Sequence, residues 1–161
     1  MESGTGDSPR LRAATSDDKQ FLRAVYASTR AEELAQVAWS DEQKRAFTDM
    51  QFAAQDADYR QNYPAAQYSI IEVQGVPAGR LYVDRCEKEI RIIDIALLPE
   101  YRRARIGTKF LQALQDEARA AGKALTIHVE KFNPALRLYQ RLGFKQIVDK
   151  GVYLFLEWNS S

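Results

Sequence analysis

The sequence predicts one α+β domain, a mixed sheet flanked by helices. Three observations predict it. Apolar residues recur at helical spacing up to about residue 60, strand-like alternation dominates residues 68–97, and beyond that helices ended by glycine alternate with strands. A chain of 161 residues that is 45% hydrophobic can bury a core of its own, and no repeat or linker divides it.

Residues 11–15 read as a first strand. Ser16 or Asp17 then caps a helix with Phe21, Leu22, Val25 and Tyr26 on its apolar face. Ser40 and Gln43 have capping-box spacing and open a second helix, whose apolar positions are Phe47, Met50 and Ala54 and whose pattern ends around residues 59–64. Residues 68–73, 80–83 and 90–97 form an antiparallel meander, joined by Gln-Gly-Val-Pro-Ala-Gly and by a charged turn around Cys86. The middle strand alternates Leu81 and Val83 against Arg80, Tyr82 and Asp84, and Pro99 stops the third. A helix follows, with Ile106, Phe110, Leu114 and Ala118 on one face and Gly122 as its terminator. After a strand over residues 125–130, Asn133 caps the next helix and Pro134 fits its first position. Gly143 ends that helix and Phe144 folds back as the closing contact, before a final strand pair over 146–149 and 152–158 around Lys150-Gly151.

Composition narrows the function. Lys+Arg 23 against Asp+Glu 22 leaves a net charge of +1, which argues against a nucleic-acid partner bound through its backbone. A single Cys86 excludes an internal disulfide, and a single His128 excludes a multi-histidine metal cluster, so no metal is expected. Cys86, within Asp-Arg-Cys-Glu-Lys-Glu, reads as an ordinary surface thiol. With no signal-peptide pattern and no apolar run of spanning length, a cytoplasmic location without a membrane partner is expected. Residues 1–9 are small, polar and turn-prone; they predict a flexible tail ahead of a domain over 10–161.

The most informative stretch runs from Asp94 to Leu111: a buried strand, a proline stop, a basic turn, then a helix whose first turn carries Gly107. That order sets free N–H groups and the positive end of a helix dipole beside Arg102, Arg103 and Arg105, a seat for a polyphosphate. Gly107 allows close backbone approach. A basic surface turn in an ordinary connection is the plainer alternative. A second segment, His128-Val-Glu-Lys-Phe-Asn-Pro-Ala-Leu-Arg-Leu-Tyr-Gln-Arg-Leu-Gly-Phe144, is more specific.

Together the two segments resemble the GNAT superfamily of N-acetyltransferases. The family's loop pattern (Gln or Arg, two residues, Gly, one residue, Gly or Ala) finds Arg102 and Gly107 here, with Arg105 where the first glycine stands. The resemblance implies a GNAT-like fold, its sheet mostly antiparallel and splayed at the acyl-CoA site. It implies acetyl-CoA as cosubstrate and a small-molecule or peptide primary amine that attacks directly in a ternary complex. The pantetheine arm would pair with backbone at Ile95 and Leu97, and the Leu97 N–H would face the thioester oxygen. The turn from Arg102 through Arg103, Ala104, Arg105 and Ile106 to Gly107 and Thr108 would hold the pyrophosphate. Tyr139 matches the family's general acid, and it could equally be a core-packed tyrosine. Asn133, which stands six residues before Tyr139, would bond the pantetheine arm, serve as a helix cap, or both.

The general base stays open between His128, Asp94, Glu72 and a water relay. Strand alternation puts Thr126, His128 and Glu130 on one face, and an unperturbed histidine has a pKa near 6.5. Arg105 poses its own alternative: a positive φ costs about 1–2 kcal/mol, whereas an ordinary helical conformation, the expected case, costs little. The resemblance puts the acceptor groove between the first two helices and the last strand pair. There Glu32, Glu33, Asp41, Asp49, Asp56 and Asp58 beside Trp39, Tyr59 and Tyr63 suit a cationic amine, or are simply solvated. The apolar final strands are compatible with a homodimer. Two other functions compete: a non-catalytic acyl-CoA-binding or regulatory module, and a nucleic-acid module using the loop arginines.

Overall fold

The computed structural model describes residues 8–160; residues 1–7 of the expected tail lie outside them. Seven strands form one sheet in the order β1-β2-β3-β4-β5-β7-β6. They are β1 (Arg10–Ala13), β2 (Gln67–Val73), β3 (Val76–Arg85), β4 (Glu89–Leu97), β5 (Ala124–Glu130), β6 (Lys145–Asp149) and β7 (Tyr153–Trp158). Five helices flank it: α1 (Lys19–Thr29), α2 (Ala31–Leu34), α3 (Asp41–Asn62), α4 (Ile106–Ala121) and α5 (Leu136–Arg141). Only β4 and β5 run parallel, as the long α4 connection between them requires. Among the described residues no helix is long and apolar enough to cross a membrane.

The two faces of the sheet have separate cores. On one, α4 and α5 cover Leu81, Val83, Ile90, Ile92, Leu125, Ile127, Val129 and Leu156, with Leu111, Leu114, Ala118 and Tyr139 pointing in from the helices. On the other, Leu22, Tyr26, Phe52 and Ile70 gather under α1 and α3. The sheet is therefore clad on both sides through its middle, and β3 is buried continuously from Ala78 to Val83. Arg80 and Tyr82, which alternate with Leu81 and Val83, are buried as well, at 2% and 0% exposed.

Local differences have local causes. The first helix is preceded by a 3-10 turn over Ser16–Asp18, whose cap is Thr15, not Ser16 or Asp17. Thr15 and Asp18 exchange side-chain and backbone hydrogen bonds, and Arg12 grips both Asp18 oxygens. The capping box at Ser40 and Gln43 opens α3 as expected. Its buried residues, however, are Thr48 and Phe52, while Met50 is 61% exposed and Phe47 packs edge-on against Trp39. The meander stands, but its first connection is only Gln74-Gly75, because residues 76–79 belong to β3. Gly122 and Gly143 end their helices at φ +67° and +96°, as expected. Asn133 caps a turn ahead of α5 and not α5 itself: its side chain accepts from the Ala135 N–H at 2.8 Å, and the helix starts at Leu136. Phe144 folds back edge-on to Tyr139, with centroids 5.6 Å apart.

Candidate active site

The parallel pair β4–β5 holds only over Glu89–Ile92 against Ala124–Ile127. Beyond that, β4 continues along β3 to Leu97 and β5 continues along β7 to Glu130, so the two strands part. A bulge marks the place: Tyr82 faces Asp94 and Val83 faces Ile92, leaving Ile93 as the extra residue. From Ile93 to Leu97 every residue is half-buried, the signature of a strand whose second neighbour has left. His128 is the first residue of β5 past the last pair and so sits at the apex of the gap.

The end of β4 is pressed onto β3. A Cβ on Gly79 would lie 2.3 Å from the Ala96 carbonyl oxygen and 3.0 Å from Leu97 Cα, so only glycine fits there. The Leu98 N–H donates to the Ala78 carbonyl at 2.9 Å, and Ala96 O also faces β3. Alternation then turns the backbone groups of Ile95 and Leu97 away from β3, toward the gap.

The chain next makes a 3-10 turn over Pro99–Tyr101 and enters the basic loop. Arg102 closes it from within, donating to the Leu97 carbonyl at 3.0 Å and to the Ser28 hydroxyl at 3.2 Å. The side chains of Arg103 and Arg105 make no ion pair or hydrogen bond with another described residue, while the Arg105 carbonyl accepts from the Lys109 N–H at 3.0 Å; their guanidinium groups are free beside the α4 N-terminus. Both are left-handed, at φ +71° and +61°. The expectation of an ordinary helical Arg105 is thus overturned: an L-residue is held where the family has glycine, at a cost of about 1–2 kcal/mol. Gly107 offers a contrast. Its backbone needs no positive φ, and the nearest atom to an added Cβ is a Leu97 methyl at 3.9 Å. Nothing inside the protein requires glycine there, although glycine in a helix costs about 1 kcal/mol.

Tyr139 lies in the core on the α4–α5 face of the sheet. It is 3% exposed, and burial, with a smaller contribution from Asp94, raises its phenol well above the usual tyrosine value. On the opposite face Asp94 forms an ion pair with the buried Arg80. Arg80 also donates to Gln55 of α3 at 2.9 Å and lies over the Tyr82 ring. Tyr59 stands edge-on to Tyr82 at 6.0 Å, its phenol driven up by burial and then by Asp94. Sequence reasoning did not single out Arg80, Tyr82 and Gln55; a charge within an otherwise apolar strand was the available signal for the first.

His128 lies against Phe155 at 4.8 Å, with Nε2 3.1 Å from Lys150 Nζ. Burial first, and the Lys150 and Arg91 charges next, lower its pKa, so the ring is neutral near pH 7 and accepts from the ammonium at Nε2. Glu72 does not join this group; it binds Arg12 at 2.7 Å on the β1–β2 side of the sheet. Thr126 and Glu130 share the His128 face but are tied to Glu89 and Arg30. The acidic residues of α3 are likewise spent locally in part, Asp56 on Arg60 and Asp58 on Asn62. Cys86 is a thiol pushed up by burial and by Asp84, not a poised nucleophile.

A mixed sheet that opens between two parallel strands, with a basic loop and helix N-terminus at the end of one of them, is the GNAT fold. The chain matches the model of the acetyltransferase (GNAT) family over residues 29–144, and it belongs to that family. It is 36% identical over 63 residues to an N-alpha-acetyltransferase of Sulfurisphaera tokodaii, a match spanning 37% of this chain and 38% of that relative's length. The PaiA N-acetyltransferase from Thermoplasma acidophilum, solved in complex with coenzyme A, superposes with a TM-score of 0.70 at 17% identity, covering 94% of this chain and 99% of that one. YncA from Salmonella typhimurium, solved with its cofactor acetyl-CoA, superposes at 0.57 with 23% identity, covering 96% and 95%.

Proposed function

We infer that the chain is an N-acetyltransferase that moves an acetyl group from acetyl-CoA to a primary amine by direct attack in a ternary complex. The observation that carries this reading is the parting of β4 from β5 beside a strand end whose Ile95 and Leu97 N–H groups face away from β3, with a basic loop at its end. The residues fit the cosubstrate. The Ile95 and Leu97 backbone would pair with the pantetheine arm, and Asn133 would meet it from the other side of the gap. The loop from Arg103 through Ala104 and Arg105, with the N–H groups of Ile106, Gly107 and Thr108, would hold the pyrophosphate. Arg102 shapes that loop through Leu97 and Ser28. Gly107, required by nothing within the chain, leaves room for a phosphate at the backbone.

Chemically, the amine nitrogen attacks the thioester carbon, the oxyanion is met by the Leu97 N–H, and the C–S bond breaks to release the CoA thiolate. Tyr139 supports that departure. A phenol near pKa 10 giving its proton to a thiol near 8.5 runs uphill by roughly 2 kcal/mol in water, and burial raises Tyr139 further. Tyr139 therefore serves as a hydrogen-bond donor to the leaving sulfur, with full transfer only as the sulfur's own desolvation allows. The amine's proton leaves through neutral His128 or through Asp94, directly or by water.

Acetyl-CoA is expected to raise the melting temperature, and free thiol to appear when amines are supplied: a polyamine, lysine, an aminoglycoside and short peptides with free N-termini. Tyr139→Phe lowers kcat by more than tenfold with little change in acetyl-CoA affinity. No thermal shift at millimolar CoA would falsify the reading, and binding without turnover across the panel would leave a non-catalytic acyl-CoA-binding module. The nucleic-acid alternative has lost one of its three arginines to internal bonds at Leu97 and Ser28.

A further inference from the structure

We propose that Arg80 is a positioning residue for acetyl transfer, fixing the Asp94 carboxylate at the mouth of the gap between β4 and β5. The inference rests on the proposed function and extends it to a residue outside the cosubstrate contacts. Arg80 is 2% exposed in the middle of β3, one of the least favourable places for a guanidinium. Its register partner is Ala96 and that of Tyr82 is Asp94, so the arginine meets the aspartate diagonally across the bulge that starts the splay. Three elements hold it: the carboxylate from β4, the Gln55 side-chain oxygen from α3 at 2.9 Å, and the Tyr82 ring beneath, 5.0 Å from the guanidinium carbon.

Stability alone gives little reason for such a pair. Two charges removed from water recover their desolvation only partly, and well-packed apolar residues of similar volume usually hold a fold at least as well. The group is moreover incompletely satisfied: Arg80 Nε and the Tyr82 hydroxyl are buried without a hydrogen-bond partner among the described residues. Incompletely paired charge at a sheet opening marks a working site. Around Asp94 stand Arg80, its ion-pair partner, and Tyr82, its register partner on β3, with Tyr59 of α3 edge-on to the Tyr82 ring. Arg80 thus sets the direction of the Asp94 carboxylate at the start of the splay and acts through it, from a buried position within β3.

The test is a double-mutant cycle on the full chain, using acetyl-CoA and the amine of the panel that the wild type turns over fastest. Asp94→Asn and Arg80→Met are each expected to lower kcat at least thirtyfold with KM for acetyl-CoA unchanged. The pair Arg80→Met with Asp94→Asn, which leaves no unpaired charge, regains a melting temperature within a few degrees of wild type yet is no slower than Asp94→Asn alone. Arg80→Lys, keeping the charge but not the fork, gives intermediate turnover, and it keeps the test open if Arg80→Met alone does not fold. A double variant as active as wild type, or an Arg80→Lys variant with unchanged kcat, overturns the proposal while leaving the acetyltransferase reading intact. A wild type that turns over no amine overturns both.

Discussion

Arg105 offers the sharpest test of the backbone argument. It occupies the position just before α4 at φ +61°, ψ +18°, a left-handed conformation that glycine adopts freely. Replacement by glycine removes a steric cost of about 1–2 kcal/mol but also frees the unfolded chain by about 0.5–1 kcal/mol. The net gain lies between about 0 and 1.5 kcal/mol; the midpoints of the two ranges give about 0.75 kcal/mol, which for a chain of 161 residues raises Tm by about 2–3 °C. Replacement by alanine removes the same guanidinium and keeps the strain, so its Tm stays at the wild-type value. Differential scanning fluorimetry of the unliganded protein reads the contrast directly. If the glycine variant melts no higher than the alanine variant, the strain argument is wrong. Binding reads the charge instead. Arg105→Gly and Arg105→Ala lose CoA affinity alike, about fivefold at low salt by a contact worth about 1 kcal/mol, and approach wild type in high salt.

Gly79→Ala forces a Cβ to 2.3 Å from the Ala96 carbonyl, so it is expected to cost about 1–3 kcal/mol and to weaken acetyl-CoA binding by shifting the Ile95–Leu97 backbone; unchanged Tm and affinity would refute the close approach. Asp18, held by hydrogen bonds from Arg12 and then from the Thr15 backbone, has its pKa lowered to about 2. Its folded-state pKa lies below the unfolded one, so its contribution, about 1–2 kcal/mol with Arg12 partly solvated, is present above about pH 4 and fades as pH falls toward 2. In urea melts Asp18→Asn should remove that contribution at pH 7 and show a flatter acid dependence than wild type. Lys150→Met removes a charge that depresses His128 and should raise its imidazole pKa, readable by NMR because the chain has one histidine. Since the folded His128 pKa lies below the unfolded value near 6.5, the wild type loses stability as pH falls through that value, and the variant should lose less.

Much of this architecture was legible locally. Capping at Ser40, glycine stops at 122 and 143, the β2–β3–β4 meander and the return of Phe144 onto Tyr139 each depend on a few neighbouring residues. The basic loop and the helix start that follows it were legible as well, because a proline stop, a charged turn and a helical apolar pattern follow one another within a short stretch. The omissions share a cause. Alternation separated Arg80 and Tyr82 from Leu81 and Val83 but did not show that both sets are buried, because α3 covers the second face of β3. Phe47, Met50 and Ala54 marked the apolar positions of the second helix, whereas the buried ones are Thr48 and Phe52, because in a long helix contact with the sheet selects among competing stripes.

By itself the sequence determined what depends on short-range chemistry: element types, their order and the loop with its arginines. Only the tertiary structure decided what depends on strands meeting. The bulge at Ile93 and the divergence of β4 from β5 arise from pairing with β3 and β7, residues distant in the chain. The backbone sign at Arg105 was likewise set by where the loop must enter α4, not by arginine's preference. The buried Arg80–Asp94 pair exists because two strands and a helix converge on it, and no window of sequence contains all three.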